Sequence, residues 1–391
     1  MPASFRLSRR MALKTGTLAA GLSLLGANAA WAQNAPNSRF SALNQIFEKA
    51  VQEGKTPGAV AAVGQAGQAL WKGVFGNRAL VPHKEPMTWN TLFDMASLTK
   101  VLITAPAIMQ LYERGLVKLD EPVSTYLPAF AANGKQAITV RLLLTHYSGL
   151  APDLDLSTPW HGKEAAVQRV MDALPINPPG ERFVYSDINF ITLGLIVEKL
   201  SGLPLDVYAT QNILQPLGLS RTFFLPDSAL HDTIAPTQYD EQNQLLRGVV
   251  HDPTTRRMDG VAGHAGLFSC ADDMLTYAHA LLARRGGLPS AFPLQPETLV
   301  LMSTPQQPAG KSDLRGLGWD IATHYSSPRG EHFPATSFGH TGFTGTSLWL
   351  VPDKETFVLI LTNRVHPDGK GNVVGLRKDV ATAAALALQT S

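Results

Sequence analysis

SLWLVPDKETFVLIL, residues 347–361, contains two apolar runs on either side of a short polar turn. The runs at 347–351 and 356–361 are rich in Leu, Val, Ile, Trp and Phe, and Pro-Asp-Lys-Glu at 352–355 separates them. Two such runs joined by a turn that contains Pro and Asp predict buried strands in an antiparallel hairpin. A sheet is therefore expected near the carboxyl end of the chain.

The amino-terminal part shows a similar pattern. Residues 58–63 and 69–75 are short β-favouring runs separated by glycine and polar residues, which predicts a second antiparallel hairpin. Before it, residues 38–52 carry apolar side chains at helical spacing, and at the other end residues 373–388 are rich in Ala and Leu. Both of these segments are predicted to be helices.

The centre of the chain is dominated by helical patterns, at residues 98–112, 165–173, 190–200 and 271–282. Strands at both ends of a helical centre predict an α/β fold of the α+β kind, in which an antiparallel sheet is flanked by terminal helices and carries an inserted, mostly helical lobe. The expected domains are a sheet domain from 33–96 and 311–391 and a mostly helical domain from 97–310. A small-molecule site is expected in the cleft between them.

The charge balance excludes several classes of partner. The 391 residues include 33 basic and 31 acidic residues, but four of the basic ones lie in the first 32 residues, which contain no acid. The remainder therefore carries 29 basic against 31 acidic residues. Binding to nucleic acid or to an anionic membrane surface requires clustered positive charge, so neither is expected. A small molecule or a polar polymer is the expected partner.

Residues 1–32 resemble an export signal. Arg9, Arg10 and Lys14 precede a run of Ala, Gly and Leu that ends in Ala-Trp-Ala at 30–32, which is typical of a twin-arginine signal cleaved before Gln33. The alternative is a membrane anchor, but no basic stop-transfer segment follows the run. We expect a periplasmic or secreted protein with no membrane span after cleavage. Cys270 is the single cysteine, so no internal disulfide is expected.

Ser97-Leu98-Thr99-Lys100 opens the predicted helix at 98–112. A serine at the first helical turn and a lysine three residues later lie on one face, within hydrogen-bonding reach. A partly desolvated lysine can activate a serine hydroxyl as a nucleophile. So short a motif also arises by chance. The alternatives are a helix N-cap for Ser97 and an ion pair for Lys100.

Two further motifs lie next to predicted elements. Tyr185-Ser186-Asp187 precedes the helix at 190–200, so a phenol and a carboxylate are expected on a tight loop that faces a cleft. His340-Thr341-Gly342 precedes the strand at 347–351, and nearby glycines permit close approach of the backbone to a ligand. Taken singly, Tyr185 could be a packing residue and His340 a turn residue.

In this order, the three motifs resemble the S-x-x-K, Y-x-N and K-T-G or H-T-G motifs of the serine β-lactamase and penicillin-binding-protein superfamily. The resemblance is to the branch that contains class C β-lactamases, DD-peptidases and family VIII esterases. LLLTHYSGL at 142–150 and GLFSCADD at 266–273 are similar to further segments of that branch. GVAGHAGLF at 260–268 and GHTGFTGT at 339–346 are similar to low-molecular-mass penicillin-binding proteins assigned as DD-carboxypeptidases. The resemblance covers about residues 40–388.

The resemblance implies a β-lactamase/transpeptidase-like fold and a set of catalytic roles. Ser97 is expected to form an acyl-enzyme, with Lys100 and Tyr185 moving its proton. The backbone N–H groups of Ser97 and Phe343 are expected to form the oxyanion hole, and Thr341 to contact a substrate carboxylate. Neither a metal nor a cofactor is expected. A pKa lowered by Lys100, or a proton shared with it, would let Tyr185 act near neutral pH.

Two positions depart from the family motifs. Asp187 replaces Asn, which puts the contact with a substrate amide in doubt and suggests that Asp187 orients Lys100 by its charge. His340 replaces Lys, which removes a permanent positive charge. Arg364 is a candidate substitute for that charge, and the alternative is an ordinary surface arginine.

Three residues between the second and third motifs could bind a metal. His251, Asp252 and His264 have suitable side chains, but hydrogen-bonded structural roles, or a place at the border of the cleft, are the preferred interpretation.

Three functions remain open from the sequence. The first is a periplasmic DD-carboxypeptidase-like serine hydrolase that acts on peptidoglycan peptides. The second keeps the nucleophile but changes the substrate, giving a family VIII-type esterase or a weak class C-like β-lactamase. The third is a non-catalytic module that recognises penicillin. The substrate is thus a small molecule or a muropeptide, and the oligomeric state is not predicted.

Overall fold

The computed structural model describes residues 38–389. The predicted export signal at 1–32 and its cleavage site lie outside the described residues and stay predictions. Within residues 38–389, no single helix is long and apolar enough to cross a membrane. One bent pair of helical segments, Asp187–Ser201 and Leu205–Leu214, reaches the length and apolarity of a membrane span only when the two segments are counted together.

The strands come from both ends of the described chain. In chain order they are β1 (Gly58–Gln65), β2 (Gln68–Ala79), β3 (Glu85–Pro86), β4 (Phe93–Asp94), β5 (Phe268–Ser269), β6 (Leu314–Arg315), β7 (Asp320–Ala322), β8 (Phe338–Thr341), β9 (Ser347–Val351) and β10 (Thr356–Thr362). Among the described residues, eight of these strands form one antiparallel sheet in the order β3-β2-β1-β10-β9-β8-β7-β6, and β4 pairs with β5. Both predicted hairpins are present, and β1 joins them by pairing with β10.

The helices lie mainly between the two groups of strands. They are α1 (Ser41–Gln52), α2 (Ala105–Glu113), α3 (Val140–Leu144), α4 (Lys163–Asp172), α5 (Asp187–Ser201), α6 (Leu205–Ala209), α7 (Pro253–Arg257), α8 (Ala271–Arg285), α9 (Pro296–Met302) and α10 (Val374–Gln389). The predicted helices at 38–52, 165–173, 190–200, 271–282 and 373–388 are present, with ends shifted by up to three residues. The antiparallel sheet with terminal helices and a helical centre confirms the predicted fold class.

Both faces of the central sheet are covered. Successive side chains of a strand point to opposite faces, so β1 contributes to two apolar clusters. Val60 and Ala62 belong to the cluster that contains most of the central helices. Ala59, Ala61 and Val63 belong to the cluster that includes side chains of α1 and α10. This two-sided burial explains why β1 has an almost continuous apolar sequence.

The helix predicted at 98–112 begins differently from the expectation. Lys100–Thr104 is a π-helical segment, closed by a hydrogen bond from the Ala105 N–H to the Lys100 carbonyl, and α2 follows it directly. A π-helical turn is wider than an α-helical one and is frequent at functional sites. The prediction was correct in position but wrong in assuming regular α-helical geometry around Lys100.

The strands β6, β7 and β8 were not predicted. Each has two to four residues, and β8 includes a glycine, so no apolar run marks them. His340 and Thr341 therefore lie within a strand rather than in a turn. The described residues, 38–389, belong to one compact unit, and the predicted boundary between a sheet domain and a helical domain stays a prediction.

Candidate active site

A strained turn presents Ser97. Ala96 has a backbone φ of +45°, which is unusual for a residue other than glycine and costs about 1 kcal/mol. The buried Asp94 carboxylate accepts hydrogen bonds from the Ala96 N–H at 2.8 Å and from the His251 N–H at 2.7 Å. Burial raises the pKa of Asp94 to about 6. The turn leaves Ser97 half-buried at the start of the helical segment.

Lys100 lies fully buried beside Ser97. Its Nζ is 2.9 Å from Ser97 Oγ, 2.7 Å from Asp187 Oδ1 and 3.0 Å from the His264 carbonyl oxygen. Burial lowers the pKa of Lys100, but its interactions with the Asp187 carboxylate and with the Tyr185 hydroxyl outweigh burial and leave that pKa above its ordinary value. Lys100 is therefore an ammonium in the free protein at neutral pH.

Tyr185 lies on the loop before α5. Its ring centroid is 5.1 Å from Lys100 Nζ, and its ring stacks on His146 at a centroid distance of 4.4 Å. Burial raises the pKa of Tyr185; the Lys100 charge and hydrogen bonds to Ser97 and Lys100 act in the opposite direction but do not overcome it. Lys100 thus acts on this pKa in the expected direction, but desolvation of the phenol outweighs it and the net shift is upward.

Sequence reasoning assigned no role to His146. It lies in the family-like segment at 142–150, is fully buried and has a left-handed backbone with φ of +60°. Its Nδ1 accepts the Ser186 N–H at 3.0 Å, which fixes the loop that carries Tyr185. Burial lowers the pKa of His146 well below its usual range, so the ring is neutral. His146 thus supports Tyr185 through both stacking and a hydrogen bond.

His340 is buried in β8 and is neutral. Its Nδ1 donates to the Thr341 carbonyl oxygen at 2.9 Å. Burial and the charges of Arg315 and Lys100 lower the pKa of His340 well below its usual range. The departure from the family's Lys therefore does remove a positive charge from this wall of the site.

Arg315 supplies a permanent positive charge that sequence reasoning missed. It is fully buried, donates from Nη2 to the Gly318 carbonyl oxygen at 2.8 Å, and has Nη1 3.4 Å from Asp320 Oδ1. Its segment, Arg-Gly-Leu-Gly-Trp-Asp at 315–320, could have drawn attention because a charge stands at each end of a run of glycine and apolar residues.

The loop at 342–346, which we call the oxyanion loop, packs against the Ser97 turn. Thr344 Oγ1 donates to the Asp94 carbonyl oxygen at 2.8 Å. A Cβ on Gly342 would lie 2.7 Å from the Met95 carbonyl oxygen, so only glycine fits. Within residues 38–389, the Ser97 and Phe343 N–H groups donate to no other protein atom, which leaves both free for a ligand oxygen.

Asp187, Asp252 and His264 have ligand atoms within 4.8 Å of one another, a grouping that could hold a metal ion. Each carboxylate in it already has a cationic partner. Lys100 pairs with Asp187, and His264 Nε2 lies 2.8 Å from Asp252 Oδ1. Despite burial, the pair's mutual attraction lowers the pKa of Asp252 and raises that of His264. We interpret the grouping as a buried network of paired charges.

His251 is not part of this network. Its ring instead stacks on the Phe343 ring, with 5.5 Å between the two ring centroids.

One cavity of about 1140 Å³ collects the predicted residues. Its lining includes every predicted site residue except Lys100, namely Ser97, Tyr185, Asp187, His340, Thr341, Gly342, Phe343 and Arg364. Lys100 is completely buried and contacts Ser97 from below the cavity. Arg364 is half-buried and lines the cavity.

Comparison with known proteins identifies relatives along most of the chain. A protein-family model described as Beta-lactamase matches residues 43–382. The N-acetylmuramyl-L-alanine amidase of Bacillus subtilis (strain 168) is 32% identical over 377 residues, which cover 85% of this chain and 84% of the relative. A Salmonella schwarzengrund (strain CVM19633) protein provisionally named D-alanyl-D-alanine carboxypeptidase is 29% identical over 325 residues, 75% and 74% of the two chains.

Among solved structures, EstCE1, a hydrolase with promiscuous acyltransferase activity, has the same fold. The TM-score is 0.72 at 23% identity, and the match covers 89% of this chain and 98% of EstCE1.

Proposed function

The chain belongs to the β-lactamase family of serine hydrolases, and we propose that within this family it is an exported DD-carboxypeptidase-like enzyme that acts on peptidoglycan peptides through a Ser97 acyl-enzyme. The observation that carries the proposal is the placement of Ser97 Oγ, 2.9 Å from Lys100 Nζ, in a cavity that also presents two free backbone N–H groups. A nucleophile, a proton carrier and an oxyanion hole are the parts that acyl transfer requires.

In the proposed reaction, Ser97 Oγ attacks the carbonyl carbon of an amide bond. The Ser97 proton passes through Lys100 and Tyr185 to the leaving nitrogen, the C–N bond breaks and an ester to Ser97 forms. The Ser97 and Phe343 N–H groups stabilise the negative oxygen of each tetrahedral intermediate, and loss of one such donor typically costs ~3 kcal/mol. Water then hydrolyses the ester and restores the serine.

The resting protonation states set a condition on this reaction. Lys100 is charged and Tyr185 is neutral, so the pair holds both of its protons. The pair can accept the Ser97 proton only after it has lost one of its own. Strongly interacting groups lose protons as a unit, so activity is expected to rise with pH according to an apparent pKa of the pair.

The relatives and the cavity support a peptide substrate. The names of both curated relatives specify amide bonds to alanine. A cavity of about 1140 Å³ is large enough for a peptide fragment, since small-molecule sites commonly span about 300–1,000 Å³. Export by the predicted twin-arginine signal would place the protein where peptidoglycan is found.

A second candidate function is ester hydrolysis. The neutral His340 removes the positive charge that the family's Lys offers to a substrate carboxylate. Compared with a relative that has Lys at that position, this protein therefore gains less binding energy from a carboxylate on the acyl donor, and a donor without a carboxylate loses less by lacking it. This observation favours a family VIII-type esterase as the alternative.

Intact-protein mass spectrometry tests the acyl-enzyme. The protein is exposed to a penicillin and, separately, to a peptide that ends in D-Ala-D-Ala. We expect a mass increase that maps to Ser97 and is absent in Ser97→Ala. Ser157→Ala, at an exposed serine that does not line the cavity, should behave like the unchanged protein. Labelling that persists in Ser97→Ala would refute the nucleophile.

Product analysis of a muropeptide digest tests the substrate. Release of free D-Ala supports the DD-carboxypeptidase proposal, whereas release of the whole peptide stem from muramic acid indicates an amidase. Rapid hydrolysis of p-nitrophenyl acetate without either product would favour the esterase.

Cell fractionation tests the proposed location. We expect the full-length protein outside the cytoplasm, and we expect it to be retained in the cytoplasm when Arg9 and Arg10 are both replaced by Lys. Cytoplasmic location of the unchanged protein would contradict export.

A further inference from the structure

We propose that Arg364 is a positioning residue that holds the Phe343 N–H in place for the oxyanion, and that it is not the receptor for a substrate carboxylate. The inference rests on the proposed acyl-enzyme function, which assigns the oxyanion hole to Ser97 and Phe343. It replaces the role that the sequence suggested for Arg364.

Arg364 contacts Phe343 in two ways. Its Nε donates to the Phe343 carbonyl oxygen at 2.8 Å, and its guanidinium carbon lies 4.4 Å from the centroid of the Phe343 ring. Its Nη1 donates to the Gly371 carbonyl oxygen at 2.8 Å, which fixes the guanidinium from the far side. These contacts restrain both the backbone and the ring of a residue that is 61% exposed.

The other contacts of the oxyanion loop leave Phe343 dependent on Arg364. The buried Arg377 Nη2 donates to the carbonyl oxygens of Gly342 at 2.9 Å and Thr346 at 2.8 Å. The Thr344 and Thr346 hydroxyls donate to the carbonyl oxygens of Asp94 and Met95, which lie just before Ser97. These bonds anchor the loop on either side of Phe343.

On Phe343 itself, the polar contact formed within residues 38–389 is the hydrogen bond from Arg364, and the His251 ring adds a stacking contact. Loss of Arg364 should therefore change the direction of the Phe343 N–H more than it changes the fold.

The same contacts argue against a carboxylate receptor. Two of the three guanidinium nitrogens of Arg364 already donate to backbone carbonyls, and one guanidinium face covers an aromatic ring. A bidentate carboxylate requires two adjacent, correctly directed donors. A carboxylate on the Nε–Nη2 edge would displace the Phe343 carbonyl, so a bidentate ligand is left only the Nη1–Nη2 edge, where Nη1 already donates to the Gly371 carbonyl.

Acylation kinetics with a matched pair of esters tests the inference. The pair consists of an activated phenyl ester and its meta-carboxyphenyl counterpart, which differ only in a carboxylate on the leaving group. For Arg364→Met we expect the acylation rate constant to fall roughly 10- to 100-fold for both esters, with KM within about twofold of the unchanged protein. We expect a similar fall in the acylation rate constant for Arg364→Lys, because a lysine keeps the charge but cannot reproduce the Nε and Nη1 hydrogen bonds.

Lys354→Met is the control, because it removes an exposed cation that is not among the residues lining the cavity. Its rate constants should be close to those of the unchanged protein. A defect of Arg364→Met that is confined to the carboxylate-bearing ester and to KM, with rescue by lysine, would overturn the inference. The inference would also be overturned if Arg364→Met acylated with both esters at the rate constants of the unchanged protein.

Acylation of Ser97 in the unchanged protein separates this inference from the proposed function. If neither ester, penicillin nor the D-Ala-D-Ala peptide acylates Ser97 in the unchanged protein, the proposed acyl-enzyme function fails and the inference fails with it. If acylation occurs but the Arg364 variants do not show the expected pattern, only the inference fails.

Discussion

Lys100 and Asp187 form an ion pair at the centre of the site, with 2.7 Å between Nζ and Oδ1. The lysine side chain is fully buried and that of Asp187 is 20% exposed, so water screens the pair only weakly. A carboxylate at this position raises the pKa of Lys100, whereas an amide, as in the family motif, carries no charge that could do so. The replacement of Asn by Asp therefore changes the pH range in which Lys100 can accept a proton.

Asp187→Asn should shift the pH dependence of acylation to lower pH. Burial lowers the pKa of Lys100 and Asp187 raises it, so removing the carboxylate leaves burial less opposed. Because only neutral Lys100 can accept a proton, the rising limb of the acylation rate against pH should move down by ~1 unit or more. Rapid-mixing measurements with p-nitrophenyl acetate between pH 5 and about 10 would show the shift. Asp379→Asn, at an exposed position in α10, should leave the profile unchanged; an upward shift in Asp187→Asn would contradict the prediction.

His340→Lys should destabilise the protein, although it restores the family motif. Burial, Arg315 and Lys100 hold the pKa of His340 well below its usual range, and a lysine at that position would meet the same conditions. We expect a loss of about 3 kcal/mol in the free energy of unfolding at pH 7. Urea denaturation measures this loss. His332→Lys, at an exposed position, is the control and should change stability by less than about 0.5 kcal/mol.

The Asp252–His264 pair should stabilise the fold most strongly in mildly acidic solution. The pKa of His264 is raised above 6.5, so its contribution is complete below pH 6.5 and is lost as pH rises through the folded-state pKa. The pKa of Asp252 is lowered below 3.8, so its contribution is present above pH 3.8 and is lost as pH falls through the folded-state pKa.

His264→Gln should therefore cost about 3 kcal/mol of unfolding free energy near pH 5, and less above the folded-state pKa of His264. Chemical denaturation at a series of pH values gives this difference, with His332→Gln as the control. A cost that is independent of pH would show that the pair is not charged.

Gly342→Ala should impair catalysis, because the new methyl group would collide with the Met95 carbonyl oxygen and with Thr346 Oγ1. Relief of that collision moves the oxyanion loop away from Ser97, and a displacement of about 1 Å can cost about 100-fold in rate. Gly375→Ala provides the comparison, since nothing lies within 4 Å of a Cβ at that exposed position in α10. Equal acylation rates in the two variants would mean that the close contact at Gly342 does not determine the position of the oxyanion loop.

Much of the fold follows from local patterns. The hairpins around 58–75 and 347–361 are marked by apolar runs and turns, and their pairing through β1 and β10 follows from the need to cover two apolar strands. The strands β6 to β8 could not be found in this way, because strands of two to four residues have too few side chains to show a period of two. Their positions depend on hydrogen bonds to neighbouring strands.

The site was partly predictable for a similar reason. Ser97, Tyr185 and His340 stand in short motifs with recognisable order and spacing. Arg315 and His146 stand outside the three motifs used to assign the site, and their importance arises from contacts with residues far away in the chain. The role of Arg364 changed because its hydrogen-bonding partners, Phe343 and Gly371, are evident only in the folded protein.

The sequence by itself determined which chemical groups are available: a serine, a lysine, a phenol, an extra carboxylate at 187 and an imidazole in place of an amine at 340. The tertiary structure decided their charges and their partners. Lys100 is an ammonium because Asp187 lies 2.7 Å away, and His340 is neutral because burial and nearby cations disfavour a further positive charge. Both results depend on distance and desolvation, which the linear order of residues does not contain.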